Sequence, residues 1–482
     1  MGLTNAAGKI EFDVLVGAPG SGKSIALRDE ALATPGLYLF CLPTILLIKE
    51  QAAKFRELRP NLKVIEARSG EGGGRGKVQR QLAEHLADLA DAGTAHAIIF
   101  MTHESMMTCD LSGFTDWHVR IDEVPNAIQT GKMNIRTNQS ERFFSSTFDL
   151  DPSGDWAHAQ LKASAGNWRD QASDSLMSKQ AEFFKYAARP QGVFVNVMTW
   201  KGTKAFEWFA LWSPTSMTHV GSLKIAAAAY LDSIGAKACL HWWKDDVEIK
   251  QIAVPAVPVP RSGEPTIRVH YFTEGHEGTT TLWGKSEGRK LIKAVCDHLV
   301  DQVPNLDFWS GNDEVRNLME WRAPGLITKP KVAGSNIYRD LQSCAFIYSS
   351  KPLPSDGPLR ILFKMSEADI LAAREDEDIH QFIMRGAIRN EGYGGDFDIF
   401  VYSRRQAEAL AAKLGAGFAK PIQVMPLDGA GIMADTLKKS APQSPSKAAE
   451  PPKLVPGAKG KGERLAKSAQ RQAQRRQKKI SN

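Results

Sequence analysis

Phe12-Asp-Val-Leu-Val-Gly17-Ala-Pro-Gly-Ser-Gly-Lys23-Ser24-Ile-Ala-Leu-Arg-Asp-Glu-Ala-Leu32 is the stretch that decides the fold. Its first five residues read as a buried strand, the glycines as a turn, and the remainder carries helical spacing. The turn matches GxxxxGK[ST]. In that pattern the glycines let successive backbone N–H groups face a phosphate, the lysine reaches the β and γ oxygens, and the hydroxyl holds Mg²⁺. The strand-to-helix setting is the one the pattern demands. Gly17, Ala18, Pro19, Gly20, Ser21, Gly22, Lys23 and Ser24 are therefore expected to bind a nucleoside triphosphate, with ATP and Mg²⁺ as cofactors.

Working outward, Leu37-Tyr-Leu-Phe-Cys-Leu42 and Ala97-Ile-Ile-Phe100 read as two further strands, with a helical stretch from Val78 to Ala92 between them. Strands alternating with helices predict a mostly parallel sheet covered on both faces. Trp117-His-Val-Arg-Ile121 then ends in Asp122-Glu123. The acidic pair is expected on a neighbouring strand of the same sheet, where Asp122 can hold the Mg²⁺ shell with Ser24 and Glu123 can polarise the attacking water. An ordinary acidic turn before Pro125 is the plainer alternative.

Regular alternation lapses after the acidic pair, so residues 126–191 are expected to be an insertion. The first domain is expected to resume at Gly192 and to fill 1–250. Pro255, Pro258, Pro260 and Pro265 mark a stiff linker over 251–265. A second α/β series over 266–420 opens with Ile267-Arg-Val-His-Tyr-Phe272 and ends with Asp398-Ile-Phe-Val-Tyr402 and a helix from Arg404 to Leu414. Residues 421–482 are expected to form a tail. From Lys438 on, thirteen Lys or Arg face two Glu, a net +11 that leaves −4 on the body of a chain whose formal charge is +7. With little apolar content to offset its ordering entropy, the tail is expected to be disordered in isolation and suited to nucleic-acid phosphate.

Five scattered cysteines without a CxxC pair suggest neither a disulfide framework nor a zinc site. No apolar run approaches a membrane span, and the first residues lack the pattern of a signal peptide. A cytoplasmic protein of a bacterial or phage-infected cell, without membrane contact, is expected.

The order of these segments resembles the helicase-like ATPases of superfamily two, DEAD/DEAH-like, in the divergent form found on phages and plasmids. In them a phosphate loop, a Pro-Thr segment, a Thr-containing segment and a strand ending in Asp-Glu follow one another. Here these are Gly17 to Ser24, Pro43-Thr44, Thr102-His103 and Asp122-Glu123-Val124-Pro125. The resemblance implies two tandem RecA-like parallel-sheet lobes with ATP between them. It implies nucleic acid held by Pro43, Thr44, Thr102 and His103, DNA in preference to RNA, and replication or recombination proteins as partners. The family's second lobe supplies a glutamine and two arginines, to which Gln381-Phe-Ile-Met-Arg385-Gly-Ala-Ile-Arg389 is similar. A spacing of four would put Arg385 and Arg389 on one helix face, pointing across the cleft at the γ-phosphate; a surface helix on which both are solvated or paired with Glu375 and Asp376 is the plainer alternative. Gly334-Ser-Asn-Ile-Tyr-Arg-Asp340 resembles a second-lobe nucleotide segment, and Arg68 to Lys77 could add mobile positive charge. The family's Ser-Ala-Thr segment is not recognisable; Ala226 to Tyr230 stands roughly in its place.

The aromatic residues Trp156, Trp168, Phe183, Phe184, Tyr186, Trp200, Trp208 and Trp212 read first as core, with base stacking as the alternative. The expectation is thus an ATP-dependent nucleic-acid translocase or helicase. A P-loop kinase and an ATP-switched nucleic-acid-binding accessory protein are its rivals.

Overall fold

The computed structural model describes residues 3–17, 21–68, 77–133, 145–166, 168, 181–189, 191–197, 206–254, 262–330, 337–353, 356–415 and 417–435. Ala18, Pro19, Gly20, Trp200, Gly334 and the tail from Thr436 lie outside them, as do residues 69–76 of the glycine-rich loop and Pro255, Pro258 and Pro260 of the linker.

Seven parallel strands make the first sheet, in the order β12-β1-β11-β5-β2-β4-β3. They are β1 (Ile10–Val16), β2 (Leu37–Leu42), β3 (Lys63–Glu66), β4 (Ala97–Thr102), β5 (His118–Asp122), β11 (Ser222–Ala226) and β12 (Val247–Ala253). Central strands β2 and β4 are apolar almost throughout because helices cover both faces. Leu39 and Cys41 pack into the core on one side, while Tyr38, Phe40 and Leu42 join Leu27 and Phe55 on the other. The helices Lys23–Ala33 (α1), Ile45–Leu58 (α2), Lys77–Asp91 (α3) and His103–Thr108 (α4) each follow a strand or its loop.

Five antiparallel strands form a second sheet, β6-β10-β9-β8-β7, from β6 (Ile128–Met133), β7 (Phe148–Ser153), β8 (Trp156–Leu161), β9 (Val193–Asn196) and β10 (Phe206–Leu211). The expectation that the first domain resumes at Gly192 is therefore corrected. Apolar patterning after Gly192 belongs to strands that complete the insertion by pairing with β6 and β8, and the parallel sheet resumes only at β11. Trp156, Phe183, Phe184, Trp208 and Trp212 are buried, which decides for core over base stacking.

The third sheet is parallel again, with strand order β15-β14-β16-β17-β13-β18. Its members are β13 (Thr266–Thr273), β14 (Phe308–Gly311), β15 (Leu326–Ile327), β16 (Ser343–Ile347), β17 (Asp396–Ser403) and β18 (Gln423–Pro426). Two boundaries differ from expectation. Residues 251–253, assigned to the linker, are the end of β12, paired with β1. Residues 423–426, assigned to the tail, are β18, paired with β13, and Ile432 beyond them is buried. The molecule is thus an α/β protein of two RecA-like parallel-sheet lobes with an antiparallel insertion in the first.

Candidate active site between the two lobes

Strand register sets the site. Leu15, Ala226 and Asp122 lie in one row across β1, β11 and β5, so the loop leaving β1 and the acids leaving β5 reach the same edge of the sheet. Asp122 lies on the expected sheet, but two strands away from β1, with β11 between them.

A Cβ at Gly17 would sit 2.5 Å from Ser21 Oγ, so a side chain there would make the Ser21 hydroxyl turn away. Gly22 caps α1 at φ 83°, in the left-handed region that glycine enters without strain. The Lys23 ammonium donates to Gly17 O at 2.8 Å and to Ser21 Oγ at 3.3 Å, curling under the loop where a phosphate would lie. Ser24 Oγ donates to Asp122 Oδ1 at 2.7 Å, tying loop to acid strand. Glu123 takes φ 67°, unusual for a non-glycine residue, and its N–H donates to Ala226 O at 2.9 Å. Backbone outliers of this kind gather at functional sites.

Burial dominates the electrostatics. It pulls the Lys23 ammonium down to about 8, against the raising influence of Asp122 and Glu123. It pushes the Asp122 carboxyl up to about 6, opposed by the Ser24 hydrogen bond and Lys23. Burial and then the Asp122 charge push Glu123 up to about 7, while Arg385 and Arg389 pull the other way. Both arginines therefore act on Glu123 from the second lobe. A carboxyl poised near neutrality suits a general base.

The arginines reach that position differently from expectation. The helix Glu377–Ile383 ends before Arg385, and Arg389 closes a separate 3-10 turn, Ala387–Arg389. The two do not share one helix face. At Gly386 the chain passes so close to Phe397 that a Cβ would lie 2.5 Å from its ring, and Ala387 N–H leaves helical bonding to donate to Leu341 O. Arg385 is buried, and its Nε has no hydrogen-bond partner among the described residues. A buried guanidinium nitrogen without a partner is a donor that a phosphoryl oxygen would satisfy. Arg389 lies at the exposed rim. The alternative pairing is not adopted: Glu375 and Asp376 bind Arg405 instead. Gln381 Nε2 is held by Glu377 Oε1 at 2.8 Å. Glu377, absent from the sequence-based expectations, faces Lys23 and Glu123 electrostatically. Burial would raise its pKa, but hydrogen bonds from His380, Lys413 and Gln381 hold it down at about 2. Its position four residues before Gln381 was the available signal.

The residues expected to hold nucleic acid divide. Thr44 and Thr102 hydroxyls accept the Leu47 and Ser105 N–H groups as helix N-caps, with Pro43 beside them. His103 is buried and faces the carbonyls of Cys41 and Asp122, with burial pulling its pKa down to about 4. A neutral, enclosed imidazole braces three strand ends, which gives His103 a structural role and leaves it little exposed surface. In the second-lobe segment, Tyr338 is core and Arg339 pairs with Asn390.

No group of three or more His, Cys, Asp or Glu able to hold a metal occurs among the described residues. Ser24 and Asp122 are the oxygen donors that fit Mg²⁺, a hard cation that keeps most of its ligands as water and substrate phosphate. No helix of the described residues is long and apolar enough to cross a membrane.

No family model matches the chain, and no curated protein matches it. Solved structures that it is similar to include an XPD helicase, at 11% identity and TM-score 0.45, covering 86% of this chain and 96% of that one. The DEAD box protein of the hyperthermophile Methanococcus jannaschii is 11% identical with TM-score 0.27, covering 86% of this chain and 88% of its own. T4 UvsW is 10% identical with TM-score 0.23, covering 87% and 74% respectively. Likenesses this distant assign neither family nor activity to the chain; the chemistry has to be read from the residues of the cleft.

Proposed function

We propose that the protein is an ATP-dependent nucleic-acid translocase or helicase that hydrolyses ATP, with Mg²⁺, between its two lobes. The observation that carries this reading is the convergence on Glu123 of first-lobe acids and second-lobe arginines, beside a phosphate loop whose serine is bonded to Asp122.

In this reading Gly17 to Ser24 cradle the triphosphate, and Lys23 exchanges its bonds to Gly17 O and Ser21 Oγ for phosphate oxygens. Ser24, braced by Asp122, would hold Mg²⁺, whose charge would offset that of the phosphates. Glu123 orients a water and accepts its proton as the water oxygen bonds to the γ-phosphorus and the bond to ADP breaks. Arg385 stabilises the charge that spreads over the transferring group, a contribution of roughly 10³- to 10⁵-fold for such an arginine. Because Arg385 comes from the second lobe, hydrolysis depends on the lobes being closed. A nucleic-acid strand held across the lobes, and by the basic tail, would then be gripped in step with turnover.

A kinase would share the phosphate loop, but an arginine delivered by a second full lobe has no place in that simpler design. The test tracks the phosphate. With γ-labelled ATP, label should appear as inorganic phosphate, and Lys23→Ala should abolish its release while the circular dichroism spectrum stays unchanged. Label on another acceptor, or undiminished release by Lys23→Ala, would overturn the reading.

A further inference from the structure

The arginine-bearing helix does not begin in its own lobe. Between β16 and β17 the chain leaves the second sheet and forms a strap of two short helices, Gly357–Leu362 and Glu367–Leu371. Leu359, Leu362, Phe363, Met365 and Ile370 of this strap are buried in the first lobe's hydrophobic core, not the second's. Phe363 is the centre of the contact. It meets Phe194 and Phe209 of the insertion edge-on at 5.5 and 5.7 Å, and Trp242 of the first lobe at 6.2 Å. At the strap's end Lys237, also of the first lobe, pairs with Asp369.

From Glu367 the chain is helical without a break through Ile383, but it changes character on the way. Ala372–Asp376 is a π-helical turn, and Glu377–Ile383 continues as α-helix with Ile379, Phe382 and Ile383 in the second lobe's core. One continuous element thus has its first turn in the first lobe and its last turn in the second, with Gln381 and then Arg385 at its far end. The π-turn is where it changes lobes, and it is fastened on both sides. Arg374 binds Asp356, at the start of the strap, through two bonds of 2.7 and 2.8 Å. Glu375, fully buried, accepts from Ser350 N and Lys351 Nζ after β16 and from Arg405 and Gln406 after β17. Single π-turns inside α-helices recur at functional sites, and this one sets the direction of the helix that carries Gln381.

We infer that the strap is a lever. Phe363 of the strap, packed on the insertion, and Lys237 of the first lobe are positioning residues that fix where Arg385 stands relative to Glu123. A ligand that shifts the insertion would thereby change hydrolysis without touching the nucleotide. The inference rests on the proposed ATPase reading for its catalytic consequence, although the mechanical connection stands apart from it.

Amide hydrogen exchange of the full-length protein, measured over 372–389, tests the connection. Phe363→Leu removes the edge-on ring contacts while keeping an apolar side chain, and Lys237→Ala removes only the ion pair. In each variant, exchange over 377–389 should quicken while α1 and β2 keep the exchange of the parent protein; Lys237→Arg should restore it. In ATP hydrolysis with Mg²⁺, a misplaced arginine should lower kcat by about ten- to a hundredfold and leave KM for ATP nearly unchanged. Unaltered exchange over 377–389 in both variants would overturn the lever, as would a rise in KM with kcat unchanged. Quickened exchange in variants of a parent protein that hydrolyses no ATP would leave the lever standing and overturn the proposed function instead.

Discussion

Ser24 and Asp122 stand 98 residues apart in sequence and are joined by a single hydrogen bond of 2.7 Å. Ser24 lies in the first turn of α1, which follows β1, and Asp122 ends β5; β1 and β5 do not pair, because β11 lies between them, and Ala226 of that strand is in register with both Leu15 and Asp122. The bond makes the acid a brace for the hydroxyl that would ligate Mg²⁺, with its carboxyl pushed up to about 6 by burial.

Asp122→Asn should therefore weaken Mg²⁺-dependent nucleotide binding more than nucleotide binding without metal. Groups that brace a metal ligand are worth about 10- to 100-fold in metal affinity. Titration of Mg²⁺ against a fluorescent ATP analogue measures it; equal Mg²⁺ affinity in parent and variant would remove Asp122 from the metal's surroundings.

Arg385 and Arg389 should separate in kinetics. Arg385, buried and with an Nε that has no hydrogen-bond partner among the described residues, should cost roughly 10³-fold in kcat as Arg385→Ala. Arg389→Ala, at the exposed rim, should cost far less. Single-turnover hydrolysis distinguishes them, and a reversed order would make Arg389 the transition-state arginine.

Hydrolysis should have a bell-shaped pH dependence. Glu123 must be ionised to accept a proton, so kcat/KM should rise as pH passes about 7. Lys23 must stay protonated to hold phosphate, so kcat/KM should fall as pH passes about 8. Glu123→Gln should abolish the rising limb along with most activity. A flat profile from about pH 6 to about pH 9 would contradict both assignments.

His103 should affect stability rather than strand binding. Burial lowers its folded pKa to about 4, below the ordinary histidine value of 6.5. The unfolded chain therefore binds the extra proton first. The stability this group contributes is complete above about 6.5 and is lost as pH falls towards about 4. His103→Gln should flatten that loss in urea unfolding measured across the same range and leave nucleic-acid affinity unchanged. A large loss of affinity in a folded variant would return His103 to the nucleic-acid surface.

Residues whose placement comes from a local pattern were legible in the sequence. The strand, glycine turn and helix around Lys23 are encoded in one short run of neighbours, and Asp122-Glu123 ends an apolar strand in plain view. What escaped depends on partners distant in the chain. Phe194 and Phe209 look like strand residues of the resumed first domain until the antiparallel pairing with β6 and β8 is seen. Arg385 and Arg389 look like one helical face because the spacing cannot reveal that the helix stops at Ile383 and that Arg389 belongs to a separate 3-10 turn. Glu377 reads as one more surface acid, since its hydrogen bond to Lys413 needs a second helix to be in place. The strap reads as second-lobe sequence because its apolar residues do not say which lobe they enter.

The most direct measurement is the steady-state rate of ATP hydrolysis without nucleic acid and with single-stranded DNA, duplex DNA or RNA, for the parent protein and Arg385→Ala. Coupling of the cleft to a strand predicts strong stimulation of the parent by at least one of these, single-stranded or duplex DNA before RNA, and none in Arg385→Ala. A parent rate unchanged by all three would contradict it.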